Sequence, residues 1–305
     1  MTPTTATRPG VVLHDAVDAA FIEQYRRDGY AVLRNALTPT EVSAINDEAL
    51  RICRGDFGAV GLSSTNSAPL EFPTGGTESD ADLLRRYLCI HYPHKLSDTI
   101  SDTMKQDSLV RGLTQIIGPN VKSMQSMLFI KSEGKPGQAW HQDEHFIPTR
   151  DRSLTAVWIA LDDATVENGC LWVMPGSHSR GVIYPDHDQD DPRFDCTSES
   201  YGFPYDEEDA VPVEIPAGAA LFFNGYLLHR SLENSGKHGY RRALVYHYMS
   251  AESLLPWKEA EGDYFGEYDF RDITIVAGED PYEYKGLRDL SQAYSRPDKD
   301  GGCDR

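Results

Sequence analysis

The chain has 305 residues, of which 40% are hydrophobic and 25% are charged, values typical of a globular protein with ample material for a core. Its formal net charge of −19 argues against nucleic acids and anionic membranes as partners, because both would be repelled. No run approaches the roughly 20 apolar residues of a membrane span, and the N-terminus lacks the basic start and apolar stretch of a secretory signal. The sequence therefore predicts a cytoplasmic protein.

The cysteines give no sign of a disulfide framework or of a metal cluster. They are odd in number, and none form a CxxC pair; they are Cys53, Cys89, Cys170, Cys196 and Cys303. This pattern predicts reduced thiols and argues against a zinc–cysteine site.

The first predicted elements are helices around one short strand. Residues 14–28 have the apolar periodicity of an amphipathic helix, and residues 30–33 form an apolar run typical of a strand. Thr38 and Glu41 have the spacing of a capping box, which predicts a second helix running to about residue 52.

The next part of the chain divides into a loop and a helical region. Residues 54–80 are rich in Gly, Ser, Thr and Pro, which is typical of a loop. Residues 81–117 have helical periodicity that Pro93 interrupts, and Asp107–Ile117 predicts a helix that ends before a Gly-Pro pair.

From Val121 onward the periodicity changes to short apolar or alternating runs separated by Gly, Pro, Asn and Asp. These runs predict an antiparallel barrel or sandwich. We expect one domain over residues 1–305, with a helical part at about 14–118, a β-rich part at about 121–250 and a C-terminal extension at 251–305.

An acidic segment at 179–210 interrupts the β-rich part. Between Asp186 and Asp209 it has ten acidic side chains and one basic one, Arg193. A solvated surface insertion is one interpretation, and a lid beside a site is the other. Aromatic residues would give a lid apolar contact area; they are Tyr184, Phe194, Tyr201, Phe203 and Tyr205.

The sequence His141-Gln142-Asp143 is the strongest indication of chemistry. On an extended strand, His141 and Asp143 point to one side and Gln142 to the other. A second histidine would complete a 2-His-1-carboxylate facial site, which leaves half of the iron coordination sphere open. The candidates are His145, His178 and His229, and we favour His229 because it ends an apolar strand.

Four motifs in order resemble the phytanoyl-CoA dioxygenase family of iron(II)- and 2-oxoglutarate-dependent oxygenases. They span roughly residues 20–250 and read FIEQYRRDGYAVLRNALTPTEV, FIKSEGKPGQAWHQDEHFIP, LTAVWIALDDATVENGCLWVMPGSH and HRSLENSGKHGYRRALVYHY. The resemblance implies a mostly β fold with supporting helices, a double-stranded β-helix or jelly-roll, cupin-like barrel. It also implies that His141, Asp143 and His229 bind the iron.

The same resemblance assigns the cosubstrate, 2-oxoglutarate, to residues on the barrel strands. Arg241 would bind its far carboxylate with help from Ser231, since the planar guanidinium suits a carboxylate. Adjacent strand residues face opposite sides, so only one of Arg241 and Arg242 can point inward, and the motif alignment favours Arg241. Further cosubstrate or pocket positions are Gln125, Lys131 and Trp158, each with a structural role as the alternative.

The implied activity is oxygenation of a small organic molecule, most directly hydroxylation of a natural product or other secondary metabolite. It would use Fe(II), 2-oxoglutarate and O2 and release succinate and CO2. The presence of Asp143 favours oxygenation over halogenation. Two alternatives remain: a cupin-type metalloenzyme that acts as an isomerase or dioxygenase without 2-oxoglutarate, and a catalytically silent ligand-binding relative. The oligomeric state is left open.

Overall fold

Two β-sheets of unequal size form the centre of the molecule, and helices cover the outside of the larger one. The structure is a computed structural model that describes residues 11–58, 60, 79–254 and 271–296. Its α-helices are α1 (Ala19–Asp28), α2 (Pro39–Arg54), α3 (Asp80–Leu84), α4 (Asp98–Thr103), α5 (Asp107–Ile116) and α6 (Asp143–Phe146). Its strands are β1 (Leu13–His14), β2 (Tyr30–Leu33), β3 (Cys89–His91), β4 (Val121–Lys131), β5 (Gln138–His141), β6 (Thr155–Ala160), β7 (Leu171–Val173), β8 (Asp186–His187), β9 (Glu199–Ser200), β10 (Val211–Val213), β11 (Ala220–Asn224), β12 (His229–Ser231), β13 (Arg241–Ser250), β14 (Thr274–Ala277) and β15 (Tyr294–Arg296).

The larger sheet, which we call the major sheet, has nine strands in the order β1-β2-β11-β6-β13-β4-β3-β15, with β14 also paired to β4. The minor sheet has four strands in the order β10-β7-β12-β5, and β8 and β9 form a separate pair. Nearly all pairings are antiparallel; β1 with β2 is parallel. The predicted mostly β fold with supporting helices is confirmed.

Local capping explains where the first two helices begin and end. The Asp18 side chain accepts a hydrogen bond from the Phe21 N–H at the start of α1, and Gly29 ends the helix with φ 84°. The predicted capping box of Thr38 and Glu41 is present at the start of α2. The predicted start of the first helix at residue 14 is wrong, because residues 13–14 pair with β2 instead.

The helical periodicity of 81–117 is also interrupted by a strand that the sequence did not predict. Residues 89–91 form β3, which pairs with β4 on one side and β15 on the other. Cys89 and Ile90 are fully buried in this position. Pairing with strands far along the chain therefore overrides the local pattern. Of the predicted 54–80 loop, residue 59 and residues 61–78 lie outside the described ranges.

The major sheet has a different apolar core on each face. On its outer face, helix residues such as Phe21, Ile45 and Leu113 pack against sheet residues such as Phe222 and Leu244. On its inner face, a second cluster joins the two sheets; it includes Trp158, Leu171, Val173, Leu221 and Val245. The candidate site lies between the sheets, so both cores fix the positions of its strands.

The described part of the C-terminal extension is attached to the major sheet. Strand β14 pairs with β4, and β15 pairs with β3. A buried ion pair joins Arg271 to Asp280. Within the described ranges, no helix combines the length and the apolar character that a bilayer crossing requires.

The cysteines depart from the sequence prediction at one position. Cys53, Cys89 and Cys170 are buried free thiols. Cys196 is disulfide-bonded, so the prediction that every cysteine is reduced is wrong there. Cys303 lies outside the described residues.

Candidate metal and cosubstrate site

His141 and His229 face each other across two antiparallel strands of the minor sheet. His141 ends β5, and the two residues are paired in register. His229 begins β12, so the prediction that it ends an apolar strand is wrong: that strand, β11, ends at Asn224. Each ring donates its Nδ1–H to a carbonyl two residues earlier, His141 to Ala139 at 2.7 Å and His229 to Leu227 at 2.9 Å. These bonds fix the ring orientation and leave the Nε2 lone pair of each histidine for a metal.

Asp143 completes the group from the same stretch of chain as His141. The backbone stays extended through Gln142, at φ −129° and ψ 126°, so the side chains of His141 and Asp143 lie on the same side. Asp143 Oδ1 is 3.8 Å from His141 Nε2 and 3.6 Å from His229 Nε2. Within the described ranges, these three residues form the one cluster whose ligand atoms could hold a metal ion, all within 4.8 Å of one another.

The protonation states of this group also suit a metal. Burial, together with the neighbouring charge of His229, lowers the pKa of His141 to about 3, so its imidazole is neutral at physiological pH. Burial alone would raise the pKa of Asp143, but the nearby imidazoles of His229, His247 and His141 outweigh it and hold that pKa below its usual range. A neutral imidazole and an ionised carboxylate are the forms that bind iron.

The two other candidate histidines lie elsewhere. His145 is 40% exposed and faces Asp186 at 3.8 Å, and His178 bonds the Arg26 carbonyl at 3.2 Å. Gln142 points away from the ligand group, as predicted. Its amide donates to the carbonyls of Val182 and Tyr226, which ties the start of the acidic segment to the site.

A cavity of about 290 Å³ opens beside the three ligand residues. Its walls are largely apolar and aromatic, and Arg241 supplies the one cationic side chain among the lining residues that the structure describes. The lining residues are His91, Gln125, Met127, Phe129, Gln138, His141, Asp143, Phe146, Ile147, Trp158, Leu171, Thr197, Phe223, His229, Ser231, Arg241, Val245 and His247. Lys131 was a candidate but is not among them.

Arg241 is buried, with 2% of its surface exposed, and its guanidinium lies 5.5 Å from the ring centre of Trp158. Its Nε donates to the Gly169 carbonyl at 3.1 Å, whereas its Nη1 is buried without a hydrogen-bond partner in the described structure. Burial lowers the pKa of Arg241 to about 10, so the group is still charged at neutral pH. A buried charge with an unused donor fits a ligand carboxylate.

Three of the other four predicted cosubstrate residues lie around this guanidinium. Lys131 is paired in register with Arg241 on the neighbouring strand, and its ammonium donates to Ser231 Oγ at 3.0 Å and to the Leu232 carbonyl at 2.7 Å. Ser231 and Trp158 line the cavity near Arg241, and Gln125 lines it near the candidate metal ligands. Lys131 thus has protein partners and contacts the cavity through Ser231.

Sequence reasoning missed His247. It lies six residues after Arg241 on β13, where the two-residue strand period places both side chains on the same face. Its Nε2 is 3.1 Å from Asp143 Oδ2. The alternation along β13 could have indicated an inward orientation, but no local pattern could have indicated contact with a residue 104 positions earlier.

The acidic segment packs along the outer side of the minor sheet. Tyr184 is buried there with Trp140, and Phe203 and Tyr205 pack against them. Thr197 is the residue of this segment that reaches the cavity. The backbone of Asp195 and Phe194 meets that of Gly137, directly before β5. The segment therefore contributes Thr197 to the cavity wall and contacts the backbone directly before β5.

Comparison with known proteins decides the family. The family model described as phytanoyl-CoA dioxygenase matches residues 25–243. The chain belongs to the phytanoyl-CoA dioxygenase family. The family predicted from the sequence is thus confirmed. The enzyme class and cofactors that the sequence predicts, a non-haem dioxygenase that uses Fe(II), 2-oxoglutarate and O2, agree with the names of several relatives and structural neighbours.

Individual relatives are similar over different lengths. "Phytanoyl-CoA dioxygenase" of Arabidopsis thaliana is 40% identical over 127 residues, which cover 40% of this chain and 44% of that protein. The chain thus spans less than half the length of this relative. "Phytanoyl-CoA dioxygenase, peroxisomal" of Bos taurus is 26% identical over 291 residues, 86% of this chain and 79% of that protein.

Solved structures share the fold. The apo form of the non-haem monooxygenase ThoJ superposes with a TM-score of 0.62 at 22% identity, covering 85% of this chain and 84% of that one. The epimerase SnoN, in complex with Fe3+, alpha ketoglutarate and nogalamycin RO, superposes with a TM-score of 0.57 at 17% identity, covering 82% of this chain and 93% of that one.

Proposed function

We propose that the protein hydroxylates a small, uncharged organic molecule, with conversion of 2-oxoglutarate and O2 to succinate and CO2. One observation carries this proposal: a buried His-Asp-His group and a buried arginine with an unused donor line the same small cavity. The first group suits iron, and the second suits the far carboxylate of a cosubstrate bound to that iron. SnoN, which shares the fold, is named as an epimerase, so this kind of site supports more than one outcome. Among these outcomes we propose hydroxylation.

His141, Asp143 and His229 would hold the iron, which supplies oxygen activation when 2-oxoglutarate is bound. The protein's own contribution is geometry. The carbonyls of Ala139 and Leu227 hold the two imidazoles in one orientation. Three protein ligands would leave coordination positions of the iron free for the cosubstrate and oxygen.

Arg241 would bind the far carboxylate of 2-oxoglutarate. Among the described residues, no carboxylate lies within hydrogen-bond distance of its buried guanidinium, and its one hydrogen bond is to the Gly169 carbonyl. Trp158 and Phe129 pack against the guanidinium at 5.5 and 5.9 Å and keep it from turning away. Ser231 would supply a hydroxyl beside it, held in place by the Lys131 ammonium.

The substrate end of the cavity favours an uncharged molecule. Once Arg241 is neutralised by a cosubstrate carboxylate, the described lining has no cationic side chain left for a second anion. Met127, Phe146, Ile147 and Val245 offer apolar contact, and Gln125 offers hydrogen bonds. The chain charge of −19 adds to this argument against a CoA thioester with its phosphates. A natural product or other secondary metabolite fits these walls.

Three broader features belong to the same proposal. The shared core between the major and minor sheets supports a double-stranded β-helix, or jelly-roll barrel, around the site. Strand pairing of residues 274–277 and 294–296 with the major sheet supports a single domain over residues 1–305. The acidic balance supports the absence of nucleic-acid and anionic-membrane partners, and the cytoplasmic location stays a prediction.

The experiment that tests the function is anaerobic addition of Fe(II) and then 2-oxoglutarate to the metal-free protein. A weak visible charge-transfer band that needs both additions is expected, followed by succinate formation when O2 is admitted. Without such a band at saturating 2-oxoglutarate, a cupin-type enzyme that does not use this cosubstrate would replace our proposal. A chlorinated product would instead contradict oxygenation.

A further inference from the structure

The two oxygens of Asp143 have different surroundings. Oδ1 faces the Nε2 atoms of both candidate metal-binding histidines, at 3.8 and 3.6 Å. Oδ2 lies on the other side of the carboxylate, 3.1 Å from His247 Nε2. Among the described residues, this is the one hydrogen bond that the Asp143 side chain makes. If Asp143 binds a metal through Oδ1, its Oδ2 is therefore hydrogen-bonded to His247.

His247 is held rigidly in this position. It lies within β13, between β4 and β6, and is paired in register with Gln125 and Ala156. It is 4% exposed, and its backbone carbonyl accepts a hydrogen bond from Ser123 Oγ. Because its backbone lies in a central strand of a nine-stranded sheet, it cannot shift to follow the carboxylate if the carboxylate turns.

The chemistry of the contact fixes which atom is the donor. An ionised carboxylate has no proton to give, so the proton of this hydrogen bond lies on His247 Nε2. A hydrogen bond to an ionised acceptor is stronger than one between neutral groups. Oδ2 can reach a metal only if the carboxylate rotates and this hydrogen bond breaks.

We propose that His247 is a positioning residue that keeps Asp143 a one-oxygen ligand and thereby keeps a third coordination position of the metal open. Carboxylates bind metals through one oxygen or through both. A second oxygen would occupy one of the three positions that the cosubstrate and oxygen need. This proposal rests on the iron site proposed above and adds a residue that controls how many positions that site leaves free.

The test uses Mn(II) as the probe metal on the metal-free full-length protein, without substrate or turnover. Calorimetry gives its dissociation constant, and water-proton relaxation gives the number of metal-bound waters. His247→Leu removes the donor, and His247→Gln restores an amide N–H at a similar distance. His94→Leu is the control, because His94 is also partly buried, contacts Ser126 of β4 and lies away from the ligands.

We expect three waters on Mn(II) in the unchanged protein and two in His247→Leu. We also expect the dissociation constant of His247→Leu to rise by tenfold or more, as for other partners of metal ligands. His247→Gln should regain the third water, and His94→Leu should match the unchanged protein in both measurements. Should His247→Leu not fold, His247→Met gives the same comparison with a more adaptable side chain.

Three waters in His247→Leu, whatever its affinity, would overturn the proposal and leave His247 a packing residue. Failure of the proposed iron site gives a different result, since the unchanged protein would then bind no Mn(II) at all. Two waters in both His247→Leu and His247→Gln would also count against the proposal, because the hydrogen bond would not be the cause.

Discussion

Arg241 and Arg242 are neighbours on β13 whose side chains lie on opposite faces of the major sheet. Arg241 is buried beside Trp158 in the cavity. Arg242 binds Asp162 through two hydrogen bonds, Nε to Oδ2 at 2.9 Å and Nη2 to Oδ1 at 2.6 Å. The arginine that faces the candidate metal site is therefore the one without a carboxylate partner among the residues that the structure describes, and this difference leads to the first prediction.

Replacing Arg241 with Ala is expected to raise the 2-oxoglutarate requirement at least tenfold, or about 1.4 kcal/mol, because a charged bidentate contact is lost. The KM for 2-oxoglutarate is measured from succinate formation. An anaerobic titration of the charge-transfer band with 2-oxoglutarate gives the binding affinity separately. Arg242→Ala is the matched control. It should lose roughly 1 kcal/mol or less of stability with its ion pair and keep its KM within about twofold. The reverse pattern would contradict the assignment of Arg241.

Replacing His229 with Ala is expected to abolish succinate formation and to weaken Fe(II) binding, because one of two imidazole ligands is lost. His145→Ala and His178→Ala test the alternatives from the sequence. Both residues lie outside the ligand group, so both variants should form succinate at a rate close to that of the unchanged protein. Normal turnover in His229→Ala, with loss of turnover in one of the others, would move the second imidazole ligand to that residue.

Replacing Gly137 with Ala is expected to lower both stability and metal affinity. A Cβ at Gly137 would overlap the Ser231 carbonyl oxygen and lie 2.9 Å from Leu232 Cα, so β5 and β12 would have to separate. The cost of such overpacking is about 1–3 kcal/mol. Because these strands hold His141 and His229 in register, Fe(II) affinity should fall as well.

Gly134→Ala is the control for this change. Gly134 lies in the same connection with φ 75°, and nothing lies within 4 Å of its added Cβ. The Gly134→Ala variant should lose about 1–2 kcal/mol of stability through backbone strain alone and keep its metal affinity. Denaturant unfolding and Fe(II) titration of both variants give the comparison. Equal metal affinity in Gly137→Ala and the unchanged protein would mean that the strand spacing does not position the ligands.

Acid should destabilise the metal-free protein through His94. Burial lowers the pKa of His94 to about 4, with a smaller contribution from the charge of Lys95. The unfolded chain, with a histidine pKa near 6.5, therefore binds a proton between pH 6.5 and 4 that the folded chain does not, and stability falls as the pH falls. Between pH 7 and pH 5 this amounts to about 2 kcal/mol. Urea unfolding at both pH values should show a smaller decrease in the free energy of unfolding for His94→Gln than for the unchanged protein. Equal decreases in the two proteins would contradict this role of His94.

The sequence by itself determined what depends on neighbours along the chain. The Thr38–Glu41 capping box, the Gly29 helix end and the common side of His141 and Asp143 all follow from backbone geometry over a few residues. The order of the motifs was enough for the family and the mostly β fold, because such motifs keep their order along the chain.

Contacts between distant parts of the chain were decided by the tertiary structure alone. Residues 89–91 are a strand because β4 and β15 pair with them, although their own pattern predicts a helix. The motif alignment favoured Arg241, but only the structure shows that its side chain lies beside Trp158 while Arg242 binds Asp162. The contact of His247 with Asp143 is likewise seen only in the structure. Alternation along a strand divides its residues into two faces, but only packing against other strands decides which face is buried.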